Sequence, residues 1–388
     1  MKIYRKLLQW KSRATLLSAT PEALPIQERS IMSGRLIWFV LGLSCTGLFG
    51  FCSRSLAQEP ISLACKSIED PPAWVFSGEW DAKESGLILI DSLFSRVAHY
   101  SLQGERLRDL PDFSSGPMPI VKPSWIHRDG QGGYLLEDDG NRLVQLGSDY
   151  KPRKEFDLQK LKNLTGESIG FVWNWVMVGG DILAFSDVQD KSNWFSGFLR
   201  IPLANSSLRG FEVLGRRMEI SDPARNFYLL GSPYIASLGD DSYFLVMGES
   251  PVVMRSVKGS SSLRSILDLS KFVGRRPELP EKRGAASVSS LFRKLEESSL
   301  PVGLYGWKGF LYVLARKYVV ASDETEWRII KIDPSRPRVI YSRLLLSKAS
   351  HLIVIPGLKS WAFVEKGSVK GLGQQEVKSI CSVPGNVW

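Results

Sequence analysis

The feature that most restricts how this chain can fold is a unit of short β-type runs that recurs along its length. In the clearest copy the runs cover residues 86–91, 95–104 and 105–110, and in the next copy residues 133–137, 141–147 and 154–158. A further run precedes each copy, at residues 73–77 and 124–127. Runs of this length, bounded by Gly, Asp and Asn, predict four antiparallel strands per unit.

Weaker copies of the unit continue to the C-terminus. Their second runs begin near residues 87, 134, 182, 243, 310 and 361, with spacings between 47 and 67 residues. A period of about 50 residues with four short strands per unit is typical of a β-propeller. We therefore predict an all-β fold, a six-bladed propeller of four-stranded antiparallel blades over residues 58–388.

A ring of blades must also close, because an open ring would leave a sheet edge unpaired. This requirement leads to a second prediction, about the two ends of the propeller. The sixth unit lacks an obvious last strand after residues 379–383, and the segment 61–65 is available before the first unit. We expect the N-terminal strand to complete the last blade. Cys65 and Cys381 lie in these two segments, so we predict a disulfide at the seam; two free buried thiols are the alternative.

The residues 133–146, with the sequence GYLLEDDGNRLVQL, resemble an NHL repeat, in which an acidic residue ends the second strand and Asn-x-Arg or a close variant opens the third. Asp91, Ser95 and Arg96 occupy the same places in the first unit. The resemblance implies a six-bladed propeller of the broad NHL and TolB-like group. It implies no single activity, since that group includes binding modules, lactonases and lyases.

An apolar run at residues 36–52 is flanked by Arg35 and by Ser55-Leu-Ala57. A basic start, an apolar core and a small-residue exit predict a signal peptide over residues 32–57, with cleavage after Ala57. An uncleaved signal anchor over residues 36–52 is the alternative and would be the chain's contact with a membrane. Residues 1–31 form a basic leader, which suggests either that translation starts at Met32 or that a cytoplasmic tail is present. We expect a periplasmic or extracellular protein.

The net charge of +10 first suggests nucleic-acid binding. Residues 1–57, however, contain eight of the 50 Lys and Arg and only two of the 40 Asp and Glu, so they carry +6 of that charge. The remaining +4 is spread without a basic run. We therefore predict no nucleic-acid partner, and we expect a monomer.

Propellers usually bind ligands at one face of the central channel, through loops and innermost strands. The aromatic and histidine side chains that we assign to this channel face are His127, Trp173, Trp175, Tyr305, Trp307 and His351. Such a surface favours a protein, peptide or glycan ligand. The alternative for each ring is packing between blades.

The second function class is a metal-dependent propeller enzyme of the lactonase or lyase type. Asp91, Asp138 and Asp187 recur at second-strand ends and are candidate oxygen ligands for Ca²⁺, while Zn²⁺ would need histidines. Such acids in NHL-like repeats more often brace their own blade, so we predict no cofactor. The sequence contains no P-loop and no H-E-x-x-H motif.

An insertion at about residues 271–300 separates the fourth and fifth units. Apolar residues at positions 288, 291, 292 and 295 have helical spacing, and Ser287 is a suitable N-cap. A helix here would cover the channel, dock a partner or serve only as a structural plug.

Overall fold

Six antiparallel sheets follow one another along the chain in the computed structural model. The structure describes residues 59–388 except 82, 84, 111–117, 140, 192, 205–206, 209, 220–232, 248–249, 258–261, 274–298, 320–323 and 369–374. The leader at residues 1–31, the signal segment at 32–57 and the helix expected at 287–298 therefore lie outside the described residues. Among those described, no helix is long and apolar enough to cross a bilayer.

Two short strands precede the blades: β1 (Ile61–Ser62) and β2 (Ala64–Ser67). Blade one contains β3 (Val75–Trp80), β4 (Gly86–Asp91), β5 (Arg96–Ser101) and β6 (Arg106–Asp109). Blade two contains β7 (Pro123–Arg128), β8 (Tyr134–Asp138), β9 (Arg142–Leu146) and β10 (Pro152–Asp157), followed by a 3₁₀ turn at Leu158–Lys160. Blade three contains β11 (Ser168–Val178), β12 (Asp181–Asp190), β13 (Asn193–Ala204), a short β14 (Ser207–Leu208) paired to β13, and β15 (Glu212–Glu219).

The second half of the ring repeats this order. Blade four contains β16 (Tyr234–Leu238), β17 (Asp241–Met247), β18 (Pro251–Ser256) and β19 (Arg264–Asp268). Blade five contains β20 (Leu300–Trp307), β21 (Phe310–Val319), β22 (Glu324–Asp333) and β23 (Arg338–Leu346). Blade six contains β24 (His351–Pro356), β25 (Ser360–Ser368) and β26 (Gln375–Pro384), and a 3₁₀ turn at Gly385–Val387 follows. The predicted all-β, six-bladed propeller is confirmed.

The N-terminal strand completes blade six, as expected, because β2 pairs antiparallel with β26. Cys65 lies directly opposite Cys381 in this pairing, and the two form the predicted disulfide. One detail differs from the prediction. Ile61 and Ser62 form the separate strand β1, which pairs in parallel with β23 of blade five. The N-terminal segment therefore joins two blades, with Ile61 buried at 2% exposure in the core between them.

Blade faces pack against one another, which explains the continuous apolar run in β4. Leu87 and Leu89 pack in the core shared with blade six, while Ile88 and Ile90 pack in the core shared with blade two. Successive side chains of a strand point to opposite faces, and here both faces are covered. An uninterrupted apolar strand is therefore what a central position in a propeller blade requires.

The two faces of the ring differ in the connections that they carry. The upper face is the one that carries two kinds of connection. These are the loops between successive blades, such as residues 158–167, and the turns from second to third strands, such as residues 92–95. The lower face carries the turns from first to second strands, such as residues 129–133. Strand β12 continues for three residues beyond Asp187, whereas β8 ends at Asp138, so blade three is extended at the upper face.

Removing the disulfide by the double substitution Cys65→Ala and Cys381→Ala should lower the free energy of unfolding by roughly 2–5 kcal/mol, because the bond closes a very long loop in the unfolded chain. Urea titration of both proteins, with and without a reductant, measures this difference. The reductant should lower the stability of the wild type and leave the double variant unchanged. Equal midpoints for oxidised wild type and double variant would contradict a stabilising seam.

Candidate functional site

The six innermost strands form a closed ring in which each lies against the innermost strand of the next blade. These strands are β3, β7, β11, β16, β20 and β24. The inner edge of each one has main-chain N–H and C=O groups that no further strand of its own sheet can bind. Buried groups of this kind need other partners. Side chains of neighbouring blades supply many of them.

Side chains bridge the first three blades to main-chain groups of their neighbours. The Ile126 N–H of blade two donates to Ser77 Oγ of blade one at 3.2 Å. His127 of blade two forms a hydrogen bond with the main chain of Trp175 in blade three. Asn174 of blade three donates from Nδ2 to the Pro233 carbonyl, which directly precedes blade four, at 3.2 Å.

At the remaining interfaces, either a side chain binds a main-chain group of the next blade or the two main chains approach each other closely. Between blades four and five, Gly306 lies against the Ser237 carbonyl, where a Cβ would collide with that oxygen. Tyr305 of blade five forms a hydrogen bond with the main chain of Val354 in blade six. Lys366 Nζ of blade six donates to the Val75 carbonyl of blade one at 2.7 Å, and so closes the ring.

Four of the six residues predicted to face the channel are thus engaged between blades. His127 and Tyr305 bind the main chain of a neighbour, as described above. Trp175 is fully buried between blades two and three, and Trp307 is 8% exposed and donates from Nε1 to the Gly357 carbonyl at 2.7 Å. Trp175 and Trp307 therefore pack between blades, which is the alternative that the sequence left open for each ring.

A buried polar cluster lies beside Trp175. Its indole Nε1 donates to Glu137 Oε2 at 3.0 Å, and the His127 ring packs edge-on against the Trp175 ring at 4.6 Å. Burial raises the pKa of Glu137 to about 8, although hydrogen bonds from Trp175 and Ser124 oppose this rise. Burial also lowers the pKa of His127 to about 4, and its Nε2 has no hydrogen-bond partner among the described residues. Both groups are therefore held neutral near pH 7.

Two of the three candidate metal ligands brace their own blades. Asp91 accepts hydrogen bonds from the main-chain N–H groups of Ala73 and Leu93, at 3.0 and 3.2 Å, and from Arg96 at 3.3 Å. Asp138 accepts from the Val121 N–H at 3.0 Å and from Arg142 Nε at 3.1 Å. Donors and a guanidinium at these oxygens compete with a cation, so the geometry favours the bracing role.

Asp187 is the candidate that the structure brings together with a predicted ligand-binding residue. Its carboxylate accepts a hydrogen bond from the Trp173 side chain and one from Ser196 Oγ at 2.8 Å. Burial raises the pKa of Asp187, and these two donors oppose the rise. The Phe171 ring packs edge-on against the Trp173 ring at 4.8 Å, which places two half-buried aromatic rings beside one carboxylate.

A third ring, Trp194, belongs to the same end of blade three. It is 45% exposed and lies so close to Gly170 that a Cβ on that residue would collide with the indole. We call Phe171, Trp173, Asp187 and Trp194 the blade-three platform. The sequence analysis did not identify Phe171 and Trp194 as site residues. The unusual length of the strands in the third unit is the sequence feature that could have indicated them.

Exposed large apolar side chains among the described residues concentrate at the upper face. Those at this face are Leu93, Phe94, Val121, Leu164, Trp194, Phe272 and Leu346. Those at the lower face are Val257 and Leu358, and those on outer strands are Leu107 and Ile340. The last predicted residue, His351, also lies at the upper face, where its Nε2 is 3.2 Å from Arg316 Nη1.

A small pocket lies at the lower side of the interface between blades three and four. Its polar lining comes from Asp181, Arg200, Asp240 and Ser242. Arg200 is buried and lies 3.9 Å from Asp181 and 3.8 Å from Glu212. None of the residues predicted from sequence to bind a ligand lines this pocket.

No protein-family model and no curated protein matches the chain. Among solved structures, a DUF4221-family member from Bacteroides vulgatus superposes with a TM-score of 0.54 at 8% identity, covering 84% of this chain and 98% of that one. A candidate exported protein from Bacteroides fragilis gives 0.51 at 10% identity, covering 82% and 94%. A gluconolactonase from Xanthomonas campestris gives 0.47 at 11% identity, covering 83% and 89%. At these identities the first two likenesses support the propeller fold and nothing further.

The shifted pKa values of Glu137 and His127 make the free energy of unfolding depend on pH. Between pH 4.5 and about 8 the folded state holds a proton on Glu137 that the unfolded state has lost, so stability falls as pH rises through this window. His127 acts in the opposite sense between about pH 4 and 6.5, where only the unfolded state is protonated. Above pH 6.5 the contribution of Glu137 is therefore unopposed by His127.

We expect the substitution Glu137→Gln to flatten the decrease in stability between pH 6.5 and 8, because the amide oxygen still accepts from Trp175 and does not ionise. The wild type should lose about 2 kcal/mol more than the variant across this window. Urea unfolding at the two pH values measures the difference. The exposed Glu105→Gln is the matched control and should keep the wild-type slope; an unchanged slope in Glu137→Gln would contradict the neutral carboxyl.

Proposed function

We propose that this protein is an exported β-propeller binding module that recognises a peptide or glycan, free or as part of a protein, at its upper face. Membership of the broad NHL and TolB-like group is part of the same proposal. It rests on the acid and arginine pairs of blades one and two, Asp91 with Arg96 and Asp138 with Arg142. The sequence pattern first suggested these pairs, and each ties the end of a second strand to the start of a third.

The observation that carries the proposal is the concentration of exposed apolar side chains at the upper face. Large apolar side chains in contact with water reduce solubility, and clusters of them mark interaction surfaces. The passages between blades lie at this face as well, and loops on a rigid scaffold commonly carry binding residues. The lower face has fewer exposed apolar side chains among the described residues.

The blade-three platform supplies suitable chemistry for such a ligand. The faces of Trp and Phe rings pack against the apolar faces of sugar rings and against aromatic or proline side chains of peptides. The Asp187 carboxylate can accept hydrogen bonds from sugar hydroxyls or peptide N–H groups. Because Trp173 and Ser196 already donate to it, the carboxylate is held in position before a ligand arrives.

Export is supported by the disulfide between Cys65 and Cys381 and by the apolar run at residues 36–52. Disulfides persist in the periplasm and outside the cell, where the environment is oxidising. The exported protein would either lose residues 32–57 as a cleaved signal peptide or keep residues 36–52 as a signal anchor, and both alternatives stay open. A monomer without a nucleic-acid partner remains our prediction.

The substitution Trp194→Ala should weaken ligand binding about tenfold or more, because exposed tryptophans at binding surfaces often contribute a large share of the affinity. Panels of soluble oligosaccharides and of peptides, titrated into the protein by calorimetry, provide the ligand and the measurement. Leu358→Ala, which removes a side chain that is 72% exposed at the lower face, is the matched control and should bind normally. Equal affinities for both variants would contradict the upper-face assignment.

The alternative is a metal-dependent propeller enzyme of the lactonase or lyase type. Asp187 is the candidate ligand that no arginine pairs with among the described residues. The one group of three or more metal-ligating side chains there joins Glu365 to Cys65 and Cys381, whose sulfurs are bonded to each other. A metal-dependent reaction would therefore need ligands beyond those that the described residues bring together.

Metal analysis separates the two functions. For a binding module, we expect purified protein dialysed against a chelator to keep its melting temperature and its ligand affinity, and Asp187→Asn to leave the metal content unchanged. Mass spectrometry of the metal content and thermal unfolding measure both. Stoichiometric Ca²⁺ or Zn²⁺ that is lost in Asp187→Asn, together with lactone hydrolysis, would favour the enzyme.

A further inference from the structure

The four residues that follow the last strand pack at the lower end of blades five and six. This C-terminal segment, residues 385–388, begins where the Gly385 N–H donates to the Lys359 carbonyl at 2.9 Å. No side chain caps the 3₁₀ turn that it forms. The connections at this end of the two blades belong to the described part of the chain: residues 308–309, 334–337 and 357–359.

The Trp388 ring lies among aromatic rings of both blades. Its centroid is 4.7 Å from that of Trp361 and 6.2 Å from those of Tyr312 and Phe363. Those three side chains are completely buried, at 0% exposure, whereas Trp388 remains partly exposed. The Trp388 ring therefore separates a pocket with aromatic walls from solvent.

Lys331 of blade five supplies a positive charge to this pocket. Its Nζ donates to the Trp388 main-chain oxygen at 2.8 Å. The same atom lies 4.1 Å from the Phe310 ring centroid and 5.6 Å from those of Tyr312 and Tyr341. Burial lowers the pKa of Lys331, and the rings offset part of this cost because their faces attract a cation.

Arg343 of the outer strand holds the preceding residue of the segment. Its Nη1 donates to the Val387 carbonyl at 3.2 Å, and its Nε donates to the Glu59 carbonyl at 2.8 Å. Lys331 and Arg343 thus bind the segment through main-chain oxygens. Such contacts do not depend on which side chain the segment carries, so another molecule with oxygen acceptors can make them.

Four buried polar atoms around this pocket have no hydrogen-bond partner among the described residues. They are Tyr312 Oη, Tyr341 Oη, Trp361 Nε1 and Trp388 Nε1. Each can donate a hydrogen bond, and leaving a buried donor unpaired costs free energy. Most buried polar groups in proteins are paired, so a group of unpaired donors needs an explanation. The Trp388 ring fills the pocket without satisfying these donors.

We propose that the C-terminal segment is a displaceable plug, and that the pocket beneath it binds an aromatic ring that bears a carboxylate. Trp388 shows the arrangement, with its ring on Trp361 and Tyr312 and its oxygen on Lys331. A carboxylate is the acceptor that an ammonium binds most strongly, and its further lone pairs offer acceptors to the unpaired donors. The pocket lies at the lower face and is independent of the upper-face function proposed above.

The substitution Trp388→Gly in the full chain removes the ring and tests the pocket. We use indole-3-propionate, which joins an aromatic ring to a carboxylate, and measure its binding by calorimetry. The variant should bind it saturably and more tightly than the wild type, in which Trp388 competes. Indole-3-propionamide should bind at least about tenfold more weakly, because the charge-assisted hydrogen bond is lost. Adding Lys331→Met to Trp388→Gly should abolish this preference for the acid.

The matched control is Trp327→Gly. Trp327 belongs to the same core, is 1% exposed, and donates from Nε1 to the Ala349 carbonyl at 2.8 Å. Its loss should lower the melting temperature more than the loss of Trp388 and should create no preference for the acid over the amide.

Three results would overturn the proposal. A Trp388→Gly protein that fails to fold, or loses as much melting temperature as Trp327→Gly, would identify Trp388 as a core residue. A folded Trp388→Gly protein that does not bind the indole acid would exclude the pocket. Equal affinity of the wild type and Trp388→Gly would exclude the plug. Each of these results leaves the upper-face proposal untouched.

Discussion

The antiparallel pairing of β2 with β26 is the contact on which the ring depends, because it joins the first described strands to the last blade. Without it, blade six would have three strands and an unpaired outer edge. The disulfide between Cys65 and Cys381 holds this pairing covalently. The parallel pairing of Ile61 with Leu345 extends the join to blade five, so loss of the N-terminal segment would affect two blades.

Closure of the ring also determines which polar side chains remain available for a ligand. The inner strands expose main-chain groups, and side chains such as Asn174 and Lys366 bind them across the blade interfaces. A residue used in this way contributes to the scaffold before it can contribute to recognition. The upper face is different, because the blade-three platform lies where strands end and solvent reaches the side chains. Candidate binding chemistry therefore lies at the rim of the ring.

Much of the fold was predictable from the repeating runs, since both faces of each central strand are buried and leave an apolar signature of regular spacing. The site was less predictable, and Trp173 and Trp175 show why. Two residues apart on a regular strand, they should share a face. A β-bulge between Val172 and Asn174 shifts the register, so Trp173 packs toward blade four while Trp175 packs toward blade two. No sequence pattern reveals such a bulge reliably.

The amino-acid sequence by itself determined the fold class, the number of blades, the strand that closes the ring and the cysteine pair that holds it. These depend on apolar periodicity and on a topological requirement, both of which a single sequence carries. Tertiary structure alone decided that Glu137 and His127 are neutral and that Asp91 and Asp138 brace loops. Those properties depend on burial and on contacts between residues far apart in the chain, which the order of residues does not specify.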